Sequence, residues 1–307
     1  MQIRTILVEL ILFFVMTSSL QAENLPTQYA IAGELILTNF VSAPFPHPKR
    51  AQGYKNEKGE FFPAQKHYQD STVAIFIPKG FRPGRKLDFV IHFHGWHNHV
   101  SGVLERYQLI EQFQESGRNA ILIIPQGPFD APDSFDGKLE DENGLKNFMS
   151  EVMSTLAQKN NFQKKEIGKI ILSGHSGGYQ VMASILARGG LSKQIEEVWL
   201  FDALYAQTKK FTDWFDQHSG RLLNIYTEHG GTKKETEKLM ADLKNKNVSF
   251  LAKNEKEITP EDLQKNKLIF IFTELAHDEV LHKHKTFLQF LKTSCLETNE
   301  INRPKNK

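Results

Sequence analysis

The sequence predicts an α/β protein with a mainly parallel central sheet and helices on both faces. Three observations predict it. From residue 87 onward, short apolar runs alternate with stretches of helical periodicity. The runs, such as Leu87–Phe93 and Ala120–Ile124, largely lack the polar alternation of half-solvated strands, so both faces should be covered. Several of them end abruptly in polar side chains, where sheets of this class bind ligands.

In chain order, residues 1–22 read as a cleavable secretory signal. Arg4 supplies a basic start, Ile6 to Met16 is apolar except for Glu9, and Thr17 to Ala22 offers a cleavage site after Ala22. The expected address is secreted or periplasmic, with one domain over 23–307. No later stretch approaches 18 uninterrupted apolar residues, so no membrane span is expected after cleavage. The single cysteine, Cys295, excludes an internal disulfide. A net charge of +2 gives no reason to expect a nucleic-acid partner. Oligomeric state is not readable.

Ile31 to Thr38 reads as a first strand. Residues 41–70, with Pro44, Pro46, Pro48, Gly53 and Gly59, form an irregular segment with a hairpin turned at 56–59. Its aromatic residues give it apolar surface to bury. A second strand covers 72–77 and a third 87–93. Val103, Leu104, Tyr107, Ile110 and Phe113 repeat at helical spacing. The acidic loop 130–142 lacks EF-hand spacing and is expected to be solvated. Helices follow over 145–156, 181–186 and 232–245, and a last one over 280–291. Strands are expected at 168–173, 198–201, 222–226 and 268–273. Phe211 to Phe215 reads as a helix, and segment 203–220, with Phe211, Trp214 and Phe215, is the best candidate for a small cap.

The most informative stretch is Ser173-Gly174-His175-Ser176-Gly177-Gly178-Tyr179, between an apolar run and a helical pattern. A G-x-S-x-G turn needs this strand–turn–helix setting, and small residues at 174, 177 and 178 relieve its crowding. Ser176 would stand at a strand end. The Gly177 amide would sit at a helix N-terminus, where an anion is stabilised. Other strand ends carry His94-Gly95-Trp96, Asp202, Glu228-His229 and His277.

Together these residues resemble the α/β-hydrolase superfamily over roughly 70–293, in the order Ser, acid, His. The resemblance implies Ser176 as nucleophile and His277 as base, with His229 as runner-up. It implies the Trp96 and Gly177 amides as oxyanion donors. For the acid, Asp202 lies in an apolar context where an unpaired charge is costly. Glu228, at the more usual position, is the alternative. His94 and His175 flank the site, and with Tyr179 and Trp214 are candidate substrate contacts. His92 and His94 share a strand face and invite a zinc reading, but the serine assembly accounts for the loop. No metal or cofactor is expected. The expected activity is hydrolysis of a carboxylic ester of a small molecule or acylated glycan. A peptidase or amidase with the same triad, or a silent fold used for binding, are the alternatives.

Overall fold

The computed structural model describes residues 25–159 and 162–299; the signal expected over 1–22 lies outside them. Among the described residues, nine strands form one sheet. They are β1 (Gly33–Asn39), β2 (Thr72–Pro78), β3 (Lys86–Phe93), β4 (Ile121–Pro125), β5 (Glu166–His175), β6 (Ile195–Phe201), β7 (Arg221–Thr227), β8 (Leu251–Asn254) and β9 (Leu268–Thr273). Their spatial order is β1-β2-β4-β3-β5-β6-β7-β9-β8. The β1–β2 and β2–β4 pairs are antiparallel, and every other pair is parallel. The mainly parallel sheet is as expected.

Side-chain alternation along each strand feeds two cores. Phe89, Ile91, Ile170 and Leu172 face one side, packing with Phe148, Met149, Ile185, Phe211 and Trp214 from helices. Val90 and Ile171 face the other, with Val103, Leu104, Phe113, Phe287 and Phe290. Each such side chain, fully buried, stabilises the fold by about 1.5–3 kcal/mol before entropy is counted. Register brings the strand ends level: His175 pairs with Phe201, and Phe201 with Ile225. The residues just beyond these ends, Ser176 and Asp202, are therefore neighbours in space.

Four expectations change. The helical pattern at 103–113 is two helices, Val100–Tyr107 and Leu109–Ser116, broken at Gln108 in the left-handed region. The last helix starts at Thr286, after a short turn at His277–Glu279. Strand β8 was not anticipated; it is a four-residue edge strand too short to carry a period. The presumed cap over 203–220 is chiefly the helix Thr208–His218, which buries Phe211 and Trp214 in the core rather than over a site.

The N-terminal segment holds the acidic loop. Tyr54–Lys55 and Phe61–Phe62 form the expected hairpin. Arg50, nearly buried, donates from Nε and Nη2 to Asp133 Oδ2 at 3.1 and 2.9 Å and pairs with Asp136 at 2.8 Å. Tyr68 donates to Asp133 Oδ1 at 3.0 Å. The guanidinium also lies 4.8 Å from the ring centres of Tyr54 and Phe135. The loop expected to be solvated thus contains a buried ion pair: Asp133 is 1% exposed, and Glu140 is buried too. Among the described residues no helix is long and apolar enough to cross a membrane.

Candidate active site

Ser176 follows β5 directly, with φ of 53°. A residue with a Cβ is strained there, and only a tightly packed turn keeps it so. The packing is visible in the glycines. A Cβ on Gly178 would lie 2.5 Å from Phe93 O, and one on Gly95 would lie 2.5 Å from Ser176 Cβ. The loop after β3 therefore presses against the turn at Ser176. It places Trp96 beside Gly177: a Cβ on Gly177 would sit 2.8 Å from Trp96 Cδ1.

Asp202, also left-handed (φ 45°), follows β6 and is fully buried. Its Oδ2 is 2.6 Å from His277 Nδ1 and accepts from Thr227 Oγ1 at 2.8 Å. Its Oδ1 accepts from the Thr227 amide at 3.2 Å and from the Thr232 hydroxyl. Burial alone would raise this carboxyl. The hydrogen bonds from His277, Thr232 and Thr227 outweigh it and hold Asp202 below its ordinary value. An ionised, satisfied carboxylate thus fixes Nδ1 of His277 as the protonated nitrogen and leaves Nε2 free to accept.

Glu228, the alternative acid, does not reach His277. It is exposed and bonded to Lys233 Nζ at 2.9 and 2.7 Å. That hydrogen bond lowers its pKa, as on any solvated ion pair. His229 is exposed as well.

The histidines flanking the turn shape it. His94 Nδ1 donates to Gly95 O at 2.8 Å, while Nε2 accepts from the Gly127 amide at 2.9 Å and from Gln126 Nε2 at 3.1 Å. Burial lowers its pKa to about 4, so it is neutral. Both nitrogens are occupied, so His94 positions the Gly95-Trp96 loop instead of contacting substrate. His175 Nε2 donates to the His277 carbonyl at 3.0 Å, and its ring centre lies 4.5 Å from that of His277, the planes tilted by 32°. Its Nδ1 lies 3.4 Å from the Tyr107 hydroxyl. Burial, then the neighbouring His277, lower it to about 4.

A cavity of about 250 Å³ opens over Ser176, lined by Trp96, Ser134, Phe135, Gly177, Tyr179, Gln180 and Tyr205. Tyr179 is therefore placed as expected, whereas Trp214 is not: its indole packs in the core. Tyr205 donates to Gly230 O at 2.6 Å, and its ring centre is 6.4 Å from that of His277. Burial, then the Asp202 charge, push its hydroxyl up to about 12. Of the segment 203–220, only Tyr205 lines this cavity.

Comparison with known proteins finds similarity in structure alone. No family model and no curated protein matches the sequence. Solved structures do match. A feruloyl esterase module from Clostridium thermocellum, complexed with sinapinate, is 9% identical with a TM-score of 0.52, covering 85% of this chain and 88% of its own. A ferulic acid esterase is 12% identical with a TM-score of 0.54, covering 85% and 98%. The fluorophosphonate-binding serine hydrolase FphF of Staphylococcus aureus, substrate bound, is 11% identical with a TM-score of 0.50, covering 86% and 100%.

This is the α/β-hydrolase fold.

Placed on an α/β-hydrolase sheet, the expected constellation comes together from five segments: 94–96, 176–177, 202, 227–232 and 277. Sequence reasoning missed Thr227 and Thr232, which saturate Asp202, and Ser134, Phe135 and Tyr205, which wall the cavity. A hydroxyl beside a strand end gives no periodic signal. Arg50 was legible in principle: it is the only arginine between Arg4 and Arg82, set among aromatics. For a metal, His175, His277 and Asp278 bring ligand atoms within 4.8 Å of one another. His277 Nδ1 is already engaged by Asp202, and both nitrogens of His175 have partners. Asp202 thus engages the His277 ring and His175 its backbone carbonyl.

Proposed function

We propose that the protein is a serine esterase cleaving a carboxylic ester through an acyl-enzyme. Ser176 Oγ attacks the ester carbonyl while His277 Nε2 takes its proton. The Trp96 and Gly177 amides hold the oxyanion, each worth about 3 kcal/mol in comparable sites. His277 returns the proton to the departing alkoxide, then activates water against the acyl-enzyme. Asp202 keeps the imidazole in the right tautomer and stabilises its protonated form. The single observation carrying this reading is the 2.6 Å contact from His277 Nδ1 to a fully buried, four-fold bonded Asp202, one strand from the strained Ser176.

The cavity walls favour a flat acyl group. Trp96, Phe135, Tyr179 and Tyr205 offer aromatic faces, and Gln180 a polar edge. The leading segment supports export to the periplasm or medium, where such a group is met on a small molecule or an acylated glycan.

A fluorophosphonate probe tests the assignment. Wild type is expected to label at Ser176, and Ser176→Ala to lose both labelling and at least about 10⁴-fold in ester turnover. An unlabelled wild type would establish the silent binding fold instead. Matched ester and amide substrates separate esterase from peptidase: the ester is expected to turn over faster by orders of magnitude.

A further inference from the structure

We infer that Ser134 is a third donor to the oxyanion, supplied by a side chain from the loop after β4. The inference rests on the serine-esterase reading above. Ser134 is 8% exposed, and its Oγ is buried with no hydrogen-bond partner among the described residues. An unpaired buried hydroxyl is destabilising, and folds retain few of them. This one lines the same cavity as Ser176 and Gly177. It meets the turn itself: a Cβ on Gly177 would collide with Ser134 Oγ on one side and with the Trp96 indole on the other. The hydroxyl therefore stands beside the residue whose amide faces the oxyanion, in a place that opens only because residue 177 has no side chain.

The surroundings hold Ser134 there. Asp133 on one side is clamped by Arg50 and Tyr68, and Phe135 on the other lies against the Arg50 guanidinium. Just before them, the Asp130 amide donates to Asn98 O at 3.1 Å and the His97 amide to Ala131 O at 2.9 Å. The loops after β3 and β4 are thus laced together behind the hydroxyl. A donor fixed before the reaction stabilises developing charge without reorganising. With the ground-state carbonyl the O–H makes a weak bond. With the tetrahedral oxygen, which carries full charge, it makes a charge-assisted one. No proton is transferred.

Ser134→Ala and Ser134→Thr separate this role from a packing role. The measurements are kcat and KM on an ester, the rate of inactivation by a fluorophosphonate, whose phosphoryl oxygen occupies the oxyanion position, and the thermal midpoint. Ser134→Ala is expected to lower kcat and the inactivation rate together by about 10- to 100-fold. KM should be nearly unchanged and the midpoint equal or higher, because an unpaired hydroxyl has been removed. Ser134→Thr should restore most of the loss. A Ser134→Ala protein that labels at the wild-type rate overturns the inference, as does a lower midpoint with kcat unchanged. A rise in KM alone assigns the hydroxyl to the acyl group and overturns it too. Failure of wild type to label is a different result: it removes the esterase reading.

Discussion

Two buried aspartates stand at the same end of the sheet and do opposite things. Asp133 faces Arg50, a permanent cation whose side chain is 8% exposed. Asp202 faces His277, a titratable ring that is 29% exposed. Burial raises the Asp133 carboxyl more than Arg50 and Tyr68 lower it. Asp202 is buried as deeply, yet its bonds hold it low. The difference is in the donors. Asp202 receives His277, two threonine hydroxyls and a backbone amide, all short-range and directed at its two oxygens. The Asp133 pair is a buried salt bridge, whose desolvation cancels much of its attraction. One arrangement sets an ionised carboxylate against an imidazole; the other fixes the loop that carries Ser134.

Asp202→Asn should break the first region most severely, with kcat/KM down by about 10³- to 10⁴-fold because the tautomer of His277 is no longer set. Glu228→Gln, measured in parallel, should stay within about twofold; the reverse ranking would return the acid to Glu228. In the second region, Asp133→Asn strands Arg50 with only Asp136 for charge. It should cost about 3 kcal/mol in urea unfolding, with a much smaller change in kcat below the transition. If activity falls as far as in Asp202→Asn, the two regions are not distinct.

Acid sharpens the contrast. His92, His94 and His175 are neutral in the fold, lowered by burial to about 3, 4 and 4 from 6.5. The unfolded chain binds protons there first. Stability is therefore full above about pH 6.5 and falls as pH drops toward 4. The raised carboxyls of Asp133 and Glu140 act in the opposite sense, so the test is a difference. His175→Gln should recover on the order of 3 kcal/mol of what wild type loses between pH 7 and pH 4, read from the unfolding midpoint at each pH. An unchanged pH slope would show that His175 is not held neutral. The smallest effect belongs to Tyr68→Phe, which removes one bond to Asp133 and should cost about 1 kcal/mol with activity intact.

Local signals decided what could be read from the chain. The turn at Ser176 was visible because crowding there demands glycines in adjacent positions. The strand ends were visible because apolar runs stop sharply. Asp202 was favoured over Glu228 on the cost of an unpaired charge among Trp199, Leu200 and Phe201, and that physical argument matches where the structure places each carboxylate. Partnerships across distance were not legible. Arg50 and Asp133 are 83 positions apart, and charges in a loop look solvated until their partner is known. Thr227 and Thr232 depend on the register of β6 against β7. Trp214 misled because an aromatic residue in a post-strand helix reads the same whether it faces a ligand or the core.

The 75 positions between Asp202 and His277 also bear on how the protein is made. Ser176 leaves the ribosome about a hundred residues before His277. Until β9 takes its place beside β7, Asp202 lacks the imidazole of His277, and Ser176 lacks the base proposed for it. The proposed site is therefore incomplete until one of the last strands and the turn after it have been made.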